Sequence, residues 1–336
     1  MFRIISYEVP VLSAPVRIST FLRRLGFSRQ NLIELKKLPG PVLVNGEERF
    51  FNERIRGGET LTVRIPVDDD PEMPEAELSF SIVYEDDDLI VVDKPAGMPI
   101  HPSFRNRENT LANALAWYFH QKDTPFVFRC SNRLDRDTSG LTVAAKHIVS
   151  ANILSVMGTQ RRIEREYLGI VRGIPSPADG IIDAPLGRVP GSVLMRQVDL
   201  EHGEKAVTRY KTLSVFSSSA QDLRGVCHDG NTNSTKKDGY SLLLLTLETG
   251  RTHQIRVHMK YAGFPLIGDY LYNPDFEIMH RQALHCRRLR FPHPMSGEIM
   301  TFEAPVPEDM QTALKILENL NSHQERSSKG TGITME

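Results

Sequence analysis

Residues 132–140, Asn-Arg-Leu-Asp-Arg-Asp-Thr-Ser-Gly, set a carboxylate, Asp135, between Arg133 and Arg136, with two hydroxyls and a glycine just after it. A guanidinium close by keeps a carboxylate ionised, and so fit to act as a base or nucleophile at neutral pH. The stretch follows a helical pattern that fades near His120. It precedes an apolar alternation, Leu141, Val143 and Ala145, that reads as a strand. A tight polar loop feeding a buried strand is a common way for a rigid scaffold to hold a reactive group. A plainer reading has Asp135 and Thr138 only stabilising a turn through side-chain to backbone hydrogen bonds. On spacing alone both stand.

A second polar run, Glu-Thr-Gly-Arg-Thr-His-Gln-Ile-Arg-Val-His over 248–258, follows a strand ending at Leu247. Ile255, Met259 and Ala262 share one helical face, and Gly263 can end that helix. Arg251 and Arg256 then fall early in it, where the macrodipole disfavours cations. Something negative must compensate, and Asp135 is the candidate for Arg256; a surface pair with Glu248 is open to Arg251. His253 and His258 are five apart rather than three or four, so no metal site is expected there. Tyr167 lies in a strand pattern where a tyrosine is more often core than catalytic.

The elements that must hold these residues can be taken in chain order. Ile18, Phe21, Leu22 and Leu25 predict a helix that Gly26 stops, and Ser28 caps a second one carrying Leu32, Leu35 and Leu38. Val42 to Val44 with Asn45-Gly46 predicts a strand entering a hairpin, and Leu61, Val63 and Ile65 alternate as a closing strand. The pattern over 1–66 resembles an S4-type RNA-binding domain. In that family the basic helical face, here Arg23, Arg24, Arg29, Lys36 and Lys37, meets the phosphate backbone; an ordinary solvated face is the alternative. Residues 67–79 read as an acidic linker. From Phe80 the pattern is α+β: strands at 80–84 and 89–92, and a helix capped by Asn109. After the central loop come a helix capped by Ser150, the Tyr167 strand, and strands at 205–215 and 241–247. Residues 217–238 read as a flexible excursion, and a last helix ends near Leu320, with 321–336 as a disordered tail.

Composition bounds the function classes. The 336 residues suggest two domains, and no apolar run approaches the roughly 18 residues of a membrane span. Three scattered cysteines argue against a disulfide framework. With residues 1–10 unlike a secretory leader, they predict a cytoplasmic protein. The net charge of −1 hides an asymmetry. Residues 1–64 hold eleven Lys and Arg against six acids, whereas 67–89 hold ten acids and neither Lys nor Arg. A basic module beside an acidic stretch points toward nucleic acid.

Together these segments resemble the RluA family of RNA pseudouridine synthases, from about Ile82 to Pro307. Its signature Arg-Leu-Asp-x-x-Thr-Ser-Gly is met by Arg133, Leu134, Asp135, Thr138, Ser139 and Gly140. A second, Thr-Gly-Arg-x-His-Gln-Ile-Arg-Val-His, is met from Thr249 to His258. The resemblance implies that Asp135 is the essential carboxylate, Arg256 its ion-pair partner and Tyr167 the residue stacking on the target uracil. It also implies that Arg133 helps displace the uridine. The chain departs from the family in Asn132, where His is usual, and in Arg165, where Lys is usual; Asn132 is expected to alter contacts to the RNA. The implied fold is a small S4-like helix-helix-strand module ahead of a catalytic domain at 80–320, with a mixed, mainly antiparallel sheet flanked by helices.

The implied reaction breaks the N1–C1′ bond of a uridine and joins C5 to C1′, which needs no cofactor and no metal. It requires the base out of its stack. The expected partner is structured RNA, ribosomal before transfer RNA, with no membrane or small-molecule cofactor; a monomer is expected. The competing class is a non-catalytic RNA-binding or ribosome-assembly factor whose loop only grips phosphate. A nucleoside hydrolase, which would release free uracil, is a third.

Overall fold

Each polar motif is delivered by a strand or helix whose apolar face is fixed by its sequence. The fold is given by a computed structural model that describes residues 2–103, 106–217 and 239–329. The expected excursion at 217–238 and residues 330–336 of the expected tail lie, but for Ser217, outside the described residues. Contacts divide the chain into two units.

The first unit holds 1–134, 141–163 and 290–301. It opens with β1 (Phe2–Glu8), β2 (Val16–Arg17), α1 (Ile18–Arg24), α2 (Arg29–Leu35), β3 (Val42–Val44), β4 (Glu47–Glu48), β5 (Arg54–Ile55) and β6 (Thr60–Pro66). The two helices and the hairpin lie where the spacing puts them. Ser28 caps α2 through a reciprocal box with Asn31, and Asn45 and Gly46 turn at positive φ. The sequence reading omits β1, which pairs along its whole length with β6 in a sheet of order β1-β6-β3-β4. One of its faces is exposed, with Phe2 at 46% and Ile4 at 55%, so its apolar residues do not alternate cleanly with polar ones.

β7 (Ser81–Glu85) and β8 (Leu89–Lys94) follow, then α3 (Leu111–His120), β9 (Arg129–Cys130), β10 (Ser139–Ala145) and α4 (Ile148–Thr159). Two caps differ from expectation. Thr110, not Asn109, caps α3, because its hydroxyl and the Asn113 amide close a reciprocal box. His147, not Ser150, caps α4, with its ring accepting from the Ser150 N–H. The acidic stretch 67–79 is pinned rather than free. Asp68 pairs with Arg129 at 2.5 Å, Glu75 with His120 at 2.6 Å, and the Asn113 amide donates to the Pro74 carbonyl. Two of its acids, Asp68 and Glu75, have basic partners on and after α3, which composition alone does not reveal.

Asp86, Asp88 and His293 are close enough to share a cation, but hydrogen bonds already engage them. His293 Nδ1 accepts from the N–H groups of Met295 and Ser296, so its Nε2 carries the proton and donates to Asp86. Asp88 is held by Arg3 and His147. The group is a polar knot tying β1, the β7–β8 turn and α4.

The second unit holds 135–140, 164–289 and 302–336. It adds β11 (Glu164–Arg172), β12 (Asp179–Asp183), β13 (Leu186–Arg188), β14 (Arg196–Val198), β15 (Val207–Ser217) and β16 (Gly239–Leu247). Then come α5 (Gln254–Tyr261), β17 (Leu284–Pro292), β18 (Ile299–Glu303) and α6 (Glu308–Lys329). Its sheet runs β12-β15-β16-β11-β17-β10, antiparallel in β12-β15-β16-β11. The first two residues of β10 run parallel to His285 and Cys286, so the sheet is mixed, as expected. Leu168, Ile170, Phe216, Tyr240 and Ile267 pack against Met310, Ala313 and Leu317 of α6. α6 continues through Lys329 instead of ending near Leu320, since no glycine or proline follows until Gly330. No helix of the described residues is long and apolar enough to cross a membrane.

Candidate active site

Thr138, Ser139 and Gly140 tie the central loop down. The Thr138 N–H closes a turn onto the Asp135 carbonyl, and its hydroxyl accepts from the Gln282 amide at 3.3 Å. Ser139 hydrogen-bonds the ring of His285 at 3.0 Å. Gly140 has φ +109°, and a Cβ there would stand 2.3 Å from the Cys286 carbonyl oxygen, so only glycine fits. The hydroxyls and glycine of the motif thus anchor the loop, and Asp135 is left partly exposed, its side chain at 24%.

Arg256, the third residue of α5, reaches Asp135 as the dipole argument requires: its Nη1 donates to Oδ2 at 3.0 Å. It is also held by a residue the sequence reading missed. Asp269 takes Arg256 Nε at 2.7 Å and Nη2 at 2.8 Å. Oδ1 of Asp269 accepts as well from the N–H groups of Leu271 and Tyr272. Arg256 and Asp269 are buried. Burial works against the guanidinium's charge, but Asp269 and Asp135 more than offset it, and Arg256 is held above its ordinary value. The bidentate grip fixes the plane of the guanidinium and leaves one N–H pair aimed at Asp135.

Other expectations need amending. Arg136 pairs with its neighbour Asp137 at 2.8 Å and stands 5.8 Å from the Tyr270 ring. Arg251 pairs with Glu204 instead of Glu248, and Glu248 pairs with Arg209. His258 is structural: Thr208 bonds its Nδ1 and the Ala184 carbonyl accepts from Nε2, within a buried pocket. Arg133 is exposed. Asn132 does not face outward. It is buried, its amide donating to the Leu141 carbonyl and accepting from the Val143 N–H, so it stitches the loop's approach to β10. Tyr167, paired with Leu245 across β11 and β16, is 4% exposed. Burial raises its hydroxyl far above the usual range, with Cys286 and Asp135 adding to the effect. It is a neutral phenol at any working pH.

Two aromatic residues frame the pair. Tyr270, 42% exposed, lies 5.5 Å from the Arg256 guanidinium, and Tyr272 lies 5.1 Å from it. His253 stands beside them, Nε2 at 4.0 Å from Asp135 Oδ1.

Residues 88–261 match the RNA pseudouridylate synthase family. The chain belongs to it. Among relatives, it is 38% identical to the uncharacterized RNA pseudouridine synthase YlyB of Bacillus subtilis, over 84% of this chain and 87% of that one. It is 34% identical to the ribosomal large subunit pseudouridine synthase D of Xanthomonas campestris, over 92% of this chain and 91% of that one. In fold it is similar to human RNA pseudouridylate synthase domain containing 1, with a TM-score of 0.52 and 23% identity, over 73% of this chain and 97% of that one. The protein is accordingly an isomerase acting on RNA, of the RluA type that its two motifs resemble.

Within this pseudouridine synthase, Asp269, Tyr270 and Tyr272 surround Arg256, and none of them was singled out from the sequence. A signal was present. Gly268-Asp269-Tyr270-Leu271-Tyr272-Asn273 puts an acid and two aromatics in one short turn after a helix. Gly268 has φ +69°, and a Cβ would stand 2.2 Å from the Arg281 carbonyl oxygen. That turn carries Asp269 to Arg256.

Proposed function

We propose that this chain converts specific uridines of structured RNA to pseudouridine, with large-subunit ribosomal RNA as substrate and Asp135 as the essential carboxylate. The observation that carries the reading is the asymmetry of Asp135. Its Oδ2 is taken by a buried, doubly anchored arginine, while among the described residues no hydrogen bond engages Oδ1. A carboxylate so held has one oxygen fixed and points the other at whatever enters. That oxygen can attack C1′ or take the proton at C2′; both routes break N1–C1′ and let the turned base rejoin through C5. The proton lost from C5 balances the one gained at N1, so the change is an isomerisation.

The target base leaves its stack to reach Asp135, which costs a few kcal/mol and favours loops and bulges. Tyr167 forms the apolar floor against which the base lies, and Arg133 helps displace it. The substrate preference rests on relatives called ribosomal large subunit pseudouridine synthase D; transfer RNA is the rival. Residues 1–66 act as an S4-like module, its exposed Arg23, Arg24, Arg29, Lys36 and Lys37 meeting phosphate. Such a role places the protein in the cytoplasm.

The test uses ribosomal and transfer RNA transcripts tritiated at uridine C5. Tritium release without free uracil is expected from the ribosomal transcript. Asp135→Asn should abolish release while RNA affinity stays within about an order of magnitude, since phosphate contacts carry most of the binding. Turnover by that variant would remove Asp135 from its role, and release from transfer RNA alone would reassign the substrate.

A further inference from the structure

His253 is partly buried beside Asp135 in a conformation that needs explaining. It precedes α5 with φ 57° and ψ 19°, the left-handed region, and its side chain makes no cap to the helix. A non-glycine residue there costs on the order of 1 kcal/mol and persists where the surroundings demand it. Here they fix the ring. The Arg196 N–H donates to the Tyr272 hydroxyl oxygen at 2.9 Å, and that hydroxyl lies 2.9 Å from His253 Nδ1. The phenol oxygen already accepts a proton from the backbone. Among the described residues, Nδ1 is the acceptor its own proton can reach. Nδ1 is therefore unprotonated, and the proton of the neutral ring sits on Nε2. Burial lowers the pKa of His253 and so favours that neutral form, although Asp135 opposes the shift.

Nε2–H is thus a donor whose direction is set by Tyr272, and it stands 4.0 Å from Asp135 Oδ1. That is too far for a hydrogen bond between them. It is also the spacing one oxygen atom bridges, at about 2.8 Å from each. Such an oxygen must accept from Nε2–H and donate to the carboxylate, which describes a hydroxyl. Arg256, itself gripped by Asp269, takes the other oxygen of Asp135, and the side chains of His253 and Asp135 are only 12% and 24% exposed. We propose that His253 and Asp135 bracket the ribose 2′-hydroxyl of the target nucleotide, making His253 a substrate-contacting residue that sets the sugar over Oδ1. The inference rests on the reading of Asp135 given above. It makes the site one that reads ribose, since the 2′-hydroxyl tells RNA from DNA.

The test is a cycle between protein and substrate. The probe is an RNA oligonucleotide spanning a uridine mapped as modified by this protein. That one nucleotide is made as ribo, 2′-deoxy or 2′-deoxy-2′-fluoro uridine, and single-turnover rates are measured. Wild type should lose about tenfold on the deoxy and fluoro substrates, the fluoro sugar keeping its pucker but having no proton for Asp135. His253→Asn keeps a residue that tolerates the left-handed conformation but shortens the donor. It should lose about tenfold on the ribo substrate and less than about twofold on the other two. Tyr272→Phe, which frees the ring to change tautomer, should show the same pattern. Equal losses for all three substrates in both variants would overturn the proposal, as would a wild type indifferent to the 2′ group; a water in the bracket gives the first result. Asp135→Asn on the ribo substrate is run alongside. Turnover there would remove the reading of Asp135 itself, whereas multiplicative losses with Asp135→Asn inactive would remove only the role of His253.

Discussion

Arg256 stands in the first turn of α5, where free backbone N–H groups already concentrate positive charge, and it is buried as well. Both facts demand anions, and the structure supplies two. One, Asp135, was legible because it lies in a motif whose chemistry is visible residue by residue. The other, Asp269, was not, because its link to Arg256 is made by a turn whose path only the folded chain shows. Its removal is the sharper test of the clamp. Asp269→Asn takes away half of a buried ion pair and should cost about 3 kcal/mol in urea unfolding. It should also lower the single-turnover rate at least about a hundredfold with RNA affinity unchanged, because a tilted guanidinium no longer holds Oδ2. A variant with full rate and lowered stability would make Asp269 structural alone.

At the scale of elements, strands and helices with regular apolar spacing were legible, among them α1, α2, β8 and β16. The caps of α3 and α4 were misplaced by one to three residues, because Ser, Thr, Asn and His can all accept from a first-turn N–H and only geometry chooses among them. The anchoring of the 135–140 loop on β17 has a pH signature. Burial lowers His285, on β17, to about 4, whereas in the unfolded chain it takes a proton near pH 6.5, as an ordinary histidine does. Between those values the unfolded chain binds more protons. Stability should therefore be intact above about pH 6.5 and fall as pH drops toward 4, by up to roughly 3 kcal/mol. His253 and His258, lowered by burial too, act in the same direction. Urea midpoints across pH 4 to 7.5 measure this, and His285→Asn should flatten the curve. A variant with an unchanged slope would place the titration elsewhere.

For the whole molecule, charge segregation was legible from composition, and its structural use was not. The acids at 67–79 lie pinned along α3 rather than spacing two modules. Residues 1–66 are bound into the first unit, through Arg3 to Asp88 and through Gly26 against Ile153. Deleting them would strip that surface, so the phosphate role is better tested by substitution. Arg23, Arg24, Arg29, Lys36 and Lys37 are exposed, and Lys37 shares its charge with Glu34 at 2.7 Å. Replacing all five with Gln should weaken RNA binding and reduce the slope of log K against log salt by about 0.7 for each phosphate no longer neutralised. An unchanged slope would make this an ordinary solvated face.

Asp135, Asp269 and Arg256 sum to one surplus negative charge, with the histidine beside them neutral. Next to Oδ1, that charge favours a sugar as it becomes electron-poor at its anomeric carbon. By the same arithmetic, a ring-nitrogen sugar mimic that carries a proton is the kind of small molecule these side chains would retain.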